Sequence, residues 1–321
     1  MGSRRFIWSS GLFAAFVILT AGCWAAPSAL VRLGSAGPSA KASGLSACTP
    51  ATREPFELDP NRPLMVLVHG CNFSMGSFRT LAELIEAHDQ QTICFNYDDR
   101  GSIDEASRQL AAALKVLEGF APGQEITVLG HSQGGLVARH ALSASRDPSF
   151  AALFHYRLVT VSAPFSGINT SKNCGLPLLH IGSLGLTVLV CQIIAGNKWT
   201  EIFPGSEFIR NPGTLAHGVG LHVRIATDER GGCARRNPAG ECVKRDEVFT
   251  IGEQLNDTID GEPRVERVEI RSGHSEIIGE WGAPPTRLLA VLQSLKILSQ
   301  ISPERRDHIA ALMMKHYGAA R

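Results

Sequence analysis

Short apolar runs recur along the chain and alternate with stretches in which apolar residues return every three to four positions. Leu64–Val68 is wholly apolar and reads as a buried strand. Residues 78–87 have helical spacing, 92–97 read as a strand, and 103–117 form an amphipathic helix with Ala106, Leu110, Leu114 and Leu117 on one side. Residues 126–129 are again strand-like, and 136–142 are rich in helix formers. Further strands are expected at 158–161, 221–226 and 265–270. A helix is expected at 286–298, after Pro284-Pro285. Strand–helix alternation of this kind predicts an α/β fold, with a mainly parallel sheet covered by helices on both faces.

The alternation lapses between about 163 and 220, an interval long for a simple connection. It contains residues 176–195, which carry no charge and reach the length of a membrane span. Gly182, Gly185, His180 and Gln192 interrupt that run. Two short apolar helices folded over the sheet as a lid are expected; a membrane-inserted segment and a dimer contact are the alternatives. The expected organisation is an export segment at 1–23, a tether at 24–60, the α/β domain at 61–300 with its lid insertion, and a helical tail at 301–321.

The beginning of the chain changes the picture of where it works. Arg4 and Arg5 precede an apolar core at 11–21, too short to span a membrane comfortably. The core ends in Leu19-Thr20-Ala21-Gly22-Cys23, similar to the cleavage site of bacterial lipoproteins, with Thr20 in place of the usual aliphatic residue. Lipidation at Cys23, secretion after cleavage near Ala26 or Ala29, and an uncleaved anchor all place the body outside a bacterial cytoplasm. The first and third bring it to a membrane surface. The Ser-, Ala-, Gly- and Pro-rich residues that follow read as the tether.

Of 321 residues, 44% are hydrophobic and 19% charged, with a net charge of +1. That balance gives no general electrostatic reason for a nucleic-acid partner. Apart from Cys23 there are seven cysteines. Export permits disulfides. Cys233–Cys242, bracketing a loop, is the first expected pair, and Cys174–Cys191 the second. Among Cys48, Cys71 and Cys94, one is left over. No Cys-x-x-Cys pair or histidine cluster points to zinc, and no carboxylate cluster demands calcium.

The candidate chemistry centres on Gly130-His131-Ser132-Gln133-Gly134, set between a strand and a helix. Glycines on both sides permit a sharp turn that exposes the serine hydroxyl at the top of a sheet, as in a nucleophile elbow. A serine needs a base, and histidine has the right pKa. Of the 11 histidines, His274 stands after the last strand, in Ser272-Gly273-His274-Ser275, where a loop can carry it over the elbow. His131 is expected to pack under the elbow, and His140, His155 and His308 to lie on the surface. The imidazole needs a carboxylate to fix its tautomer. Asp246, after the Cys233–Cys242 loop, is favoured, and Asp228, directly after a strand, is the alternative. Oxyanion donors are expected from the backbone N–H of Gln133 and of Cys71, with Asn72 next.

With these residues placed, the chain resembles the α/β-hydrolase superfamily, in particular its bacterial lipase and esterase branch and the inositol-deacylase-like lipases. The resemblance rests on Val66-Leu67-Val68-His69-Gly70, on Leu129 to Arg139, on Val161-Ser162-Ala163-Pro164-Phe165-Ser166-Gly167, on Asp246-Glu247-Val248-Phe249 and on Gly273-His274-Ser275. Pro204-Gly205-Ser206 resembles a turn of the lid region. The acid motif departs from the family pattern at Glu247 and Phe249, which keeps Asp228 open.

The resemblance implies hydrolysis of a small-molecule or lipid ester through an acyl-serine, with no organic cofactor. An acyltransferase using the same triad and a non-catalytic binding module are the competing readings.

Overall fold

The computed structural model describes residues 44–48, 58–59, 62–71, 75–120, 124–144, 156–169, 196 and 198–318. The expected export segment, most of the expected tether, the apolar run 176–195, His155 and the expected Cys174–Cys191 pair lie outside them.

The centre is a seven-stranded sheet in the order β1-β3-β2-β4-β5-β6-β9. Its strands are β1 (Leu45–Ser46), β2 (Leu64–Val68), β3 (Gln91–Phe95), β4 (Ile126–His131), β5 (Tyr156–Val161), β6 (Val219–Asp228) and β9 (Val265–Arg271). All neighbours run parallel except β1, which pairs antiparallel with β3 at one edge. Between β6 and β9 stands a separate antiparallel hairpin, β7 (Cys233–Arg236) and β8 (Cys242–Arg245).

Strand β2 shows why the sheet is buried on both sides. Its side chains alternate between two cores: Leu64, Val66 and Val68 pack into one, Met65 and Leu67 into the other. The first core is closed by α2 (Ile103–Phe120) and α3 (Gln133–Ala141), through Ile103, Leu110, Leu114, Leu136 and Val137. The second is closed by α1 (Met75–Glu86), α8 (Thr286–Ser294) and α9 (Pro303–Tyr317), through Leu81, Ile85, Leu288, Leu292 and Leu312. The last helix, α9, is tied to α1 by Lys315 and His316 on Glu83.

Residues 198–220 hold two single-turn helices, α4 (Trp199–Ile202) and α5 (Glu207–Arg210), before β6. Two more, α6 (Ile251–Gln254) and α7 (Asp257–Asp260), fill the interval between the hairpin and β9. Such short helices carry too few turns for an apolar period to appear in sequence. Among the described residues no helix is long and apolar enough to cross a membrane.

Cys233 and Cys242 are bonded across the hairpin as expected. Cys48 is bonded to Cys94, which joins the segment after β1 to β3.

Candidate active site

Strand β4 runs into α3 through Ser132, whose backbone sits at φ 57° and ψ −128°. A non-glycine residue there is strained by about 1–3 kcal/mol, and the surroundings must hold it. They do so through the Ser132 N–H, which donates to the Val161 carbonyl at 2.8 Å, and through its carbonyl, which accepts from Gly135 at 3.0 Å. The turn also needs bare backbone. A Cβ on Gly134 would lie 2.2 Å from the Val68 carbonyl oxygen, and one on Gly130 would lie 2.3 Å from that of Gly134. The glycines thus let α3 sit directly against β2.

The loop leaving β2 passes alongside the serine. A Cβ on Gly70 would fall 2.7 Å from Ser132 Cβ and 3.2 Å from its Oγ. This sets the expected oxyanion loop, His69 to Cys71, beside the hydroxyl. His69 stacks on Tyr97 at 4.6 Å, and the Tyr97 hydroxyl donates to the His69 carbonyl at 2.6 Å. Burial lowers the His69 pKa and keeps its ring neutral.

His274 arrives from the loop after β9. Its ring centre lies 4.8 Å from that of His131, whose Nε2 meets the His274 carbonyl oxygen at 2.8 Å. His131 is fully buried, and burial pushes its pKa well below the ordinary value, so it is the packed neutral residue expected under the elbow. The structure therefore brings the histidine loop against the residue preceding the serine. Phe249 packs edge-on to the His274 ring at 5.0 Å.

The carboxylate on His274 is neither Asp246 nor Asp228. Glu229 Oε1 lies 2.8 Å from His274 Nδ1 and also accepts from the Thr227 hydroxyl at 3.1 Å. Its Oε2 accepts the N–H groups of Val248 and Phe249 at 2.6 and 2.8 Å. Four donors converge on one buried carboxylate, which compensates its loss of water.

Asp228, the last residue of β6, turns outward to Arg230 Nε and Nη2, both at 2.7 Å. That guanidinium holds its carboxyl at about 2. The carboxylate that meets His274 is the residue directly after Asp228, the alternative candidate. The Asp228-Glu229 pair was the available signal, since the second carboxylate there can fold back where the first points away.

Asp246 is corrected from triad acid to support of the histidine loop. Its Oδ2 accepts the N–H groups of Ser275 and Glu276, both at 2.9 Å, at the start of the single-turn 3₁₀ helix Glu276–Ile278. Its carbonyl accepts the His274 N–H at 2.9 Å. Gly273 is required beside it, because a Cβ there would lie 2.3 Å from Oδ2. The disulfide hairpin thus follows the acid instead of preceding it.

The expectation for His140 also changes. The ring is largely buried against Phe208 at 4.5 Å, and burial lowers its pKa to about 4. His308 is exposed as expected. Among the described residues no group of three histidine, cysteine or acidic side chains could hold a metal ion.

A doubly covered parallel sheet with a strained serine elbow after a central strand, and a histidine after the last, defines the class: the chain has an α/β-hydrolase fold. Within it, residues 64–214 match the model of the palmitoyl protein thioesterase family. Among solved structures, the propeptide form of the Bacillus licheniformis lipase BlEst2 matches at a TM-score of 0.51 and 16% identity, over 77% of this chain and 52% of that one. The mature form of that lipase matches at 0.47 and 15%, over 74% and 94%. The metagenomic carboxyl esterase MGS0156 matches at 0.49 and 14%, over 76% and 78%. No curated protein matches the chain by sequence.

Proposed function

We propose that the chain is a serine hydrolase of carboxylic esters, with Ser132 as nucleophile, His274 as base and Glu229 as the acid that orients it. The observation that carries this is the buried Glu229–His274 pair, whose histidine packs on His131 beside the strained Ser132. Ser132 Oγ attacks the acyl carbon while His274 Nε2 takes its proton. The carbonyl oxygen becomes an oxyanion, met by the N–H groups of Gln133 and Cys71. Collapse expels the alcohol, which leaves with the proton from His274. Water then attacks the acyl-serine and gives a proton to the same nitrogen; collapse breaks the acyl–Oγ bond, the proton passes from His274 to Ser132 Oγ, and the acid departs.

The uncharged composition of residues 176–195 supports an apolar acyl group. The match to the palmitoyl protein thioesterase model favours a second reading, in which the scissile bond is a thioester. The two bonded cysteine pairs support export, with Cys23 as the candidate lipid attachment and a membrane surface as the place of work. A fluorophosphonate should label the protein, and Ser132→Ala should abolish labelling and turnover together; labelling that persists in the variant removes the mechanism. Acyl p-nitrophenyl esters set against acyl-coenzyme A of equal length separate the two leaving-group readings by kcat/KM.

A further inference from the structure

Lys198 is buried, only 4% exposed, just before α4. Its ammonium donates to Gln133 Oε1 at 2.5 Å and to the Asp99 carbonyl oxygen. Gln133 Nε2 donates to that same carbonyl at 3.2 Å, which closes a three-membered clamp over the start of α3. Both acceptors of the ammonium are neutral oxygens.

The segment that carries Lys198 is firmly seated. Gly196, at φ +76°, lies so close to Arg100 that a Cβ would fall 2.3 Å from the Arg100 carbonyl oxygen. Glu201 accepts the Ile103 N–H at 2.6 Å, the Ser102 hydroxyl at 2.7 Å and the Asp104 N–H at 3.2 Å. It thereby covers the positive end of α2.

Its position gives the charge a use. Gln133 follows the nucleophile and supplies the first expected oxyanion donor. The charges of Asp99 and of Lys198 act on His69 in opposite senses, that of Asp99 the more strongly, so the ammonium stands within electrostatic reach of the loop after β2, where the second donor is expected.

We propose that Lys198 is a positioning residue of the oxyanion site: its ammonium fixes Gln133, and with it the Gln133 N–H that meets the tetrahedral oxygen. This rests on the serine-hydrolase reading above. It adds a charged side chain from a segment distant in sequence to a site otherwise built from backbone donors.

The test uses Lys198→Met, Lys198→Gln, which keeps a donor without the charge, and Lys198→Arg, each in the full chain. Two quantities are read: kcat and KM on an acyl p-nitrophenyl ester, and affinity for the trifluoromethyl ketone with the same acyl chain, which forms a tetrahedral oxyanion on the serine. Lys198→Met is expected to lower kcat about 10- to 100-fold, less than loss of a direct donor, with KM nearly unchanged. Ketone affinity should fall by the same factor as kcat/KM. Lys198→Gln should lie between Met and wild type, and Lys198→Arg should restore most of the loss.

A purely structural lysine would lower the melting temperature yet leave kcat and ketone affinity of the folded fraction at wild-type values; that result overturns the proposal. If Lys198→Met does not fold, wild-type kinetics in Lys198→Gln overturn it equally. Wild-type protein that neither cleaves the esters nor binds the ketone refutes the hydrolase reading first and takes this proposal with it.

Discussion

Glu229 Oε1 stands 2.8 Å from His274 Nδ1, across 45 residues of sequence. The other oxygen of the same carboxylate is held by the Val248 and Phe249 N–H groups. One carboxylate therefore orients the imidazole and pins the loop that covers it.

Glu229→Gln should lower kcat about 10²- to 10⁴-fold. The two backbone N–H groups will select the amide oxygen, which turns the amide N–H₂ toward Nδ1 and forces the wrong imidazole tautomer. Asp228→Asn should leave kcat within about 2-fold, because Asp228 faces Arg230. Steady-state kinetics decide; the reverse ranking would favour Asp228, the alternative candidate, over Glu229.

Asp246→Ala should cost about 1–3 kcal/mol of stability, because it strands the Ser275 and Glu276 N–H groups. It should reduce kcat by disordering the histidine loop. Asp246→Asn keeps an oxygen acceptor and should recover most of both. Denaturant unfolding alongside kinetics tests this, and an Asn variant as inactive as Glu229→Gln would contradict the assignment.

Gly134→Ala should destabilise by about 3 kcal/mol, since its methyl meets the β2 backbone. Gly119→Ala, on the exposed side of α2 with nothing within 4 Å of the added methyl, should stabilise by about 0.5–1 kcal/mol. Urea midpoints read both, and equal effects would mean that the close approach at the elbow is absent.

Stability should fall on acidification below about pH 6.5. Burial holds His131 and His222 well below their ordinary pKa, and His140 at about 4. The unfolded chain then binds protons that the folded chain refuses, so lowering the pH favours unfolding. Each histidine contributes up to about 1.4 kcal/mol per pH unit until its own folded pKa is reached. A urea midpoint constant between about pH 7.5 and about pH 5 would contradict neutral burial of these rings.

The Cys48–Cys94 bond closes a sequence separation of 46 residues and fastens the edge of the sheet. Replacing both cysteines by alanine should cost about 2–4 kcal/mol, mostly through the unfolded chain. Cys233–Cys242 closes only 9 and is exposed, so its removal should cost less. Calorimetry of the two double variants tests the order.

Most strands and the larger helices were legible because parallel strands buried on both faces are continuous apolar runs, and long helices repeat their apolar stripe. Strand β2 coincides with the expected span, and β4, β5, β6 and β9 differ from theirs by a few residues at their ends. The single-turn helices were not legible, nor was the two-residue strand β1, whose place depends on a partner strand and a disulfide.

The elbow and the histidine loop were fixed by local chemistry: glycines where backbone meets backbone, and a serine and an imidazole at strand ends. Which carboxylate meets the imidazole was decided only in three dimensions. At the end of β6 two consecutive carboxylates point apart, and which one meets the imidazole depends on where the hairpin turns the chain and where Val248 and Phe249 present their N–H groups. Those groups are remote in sequence, and no local pattern encodes the direction in which a side chain leaves a strand that has just ended.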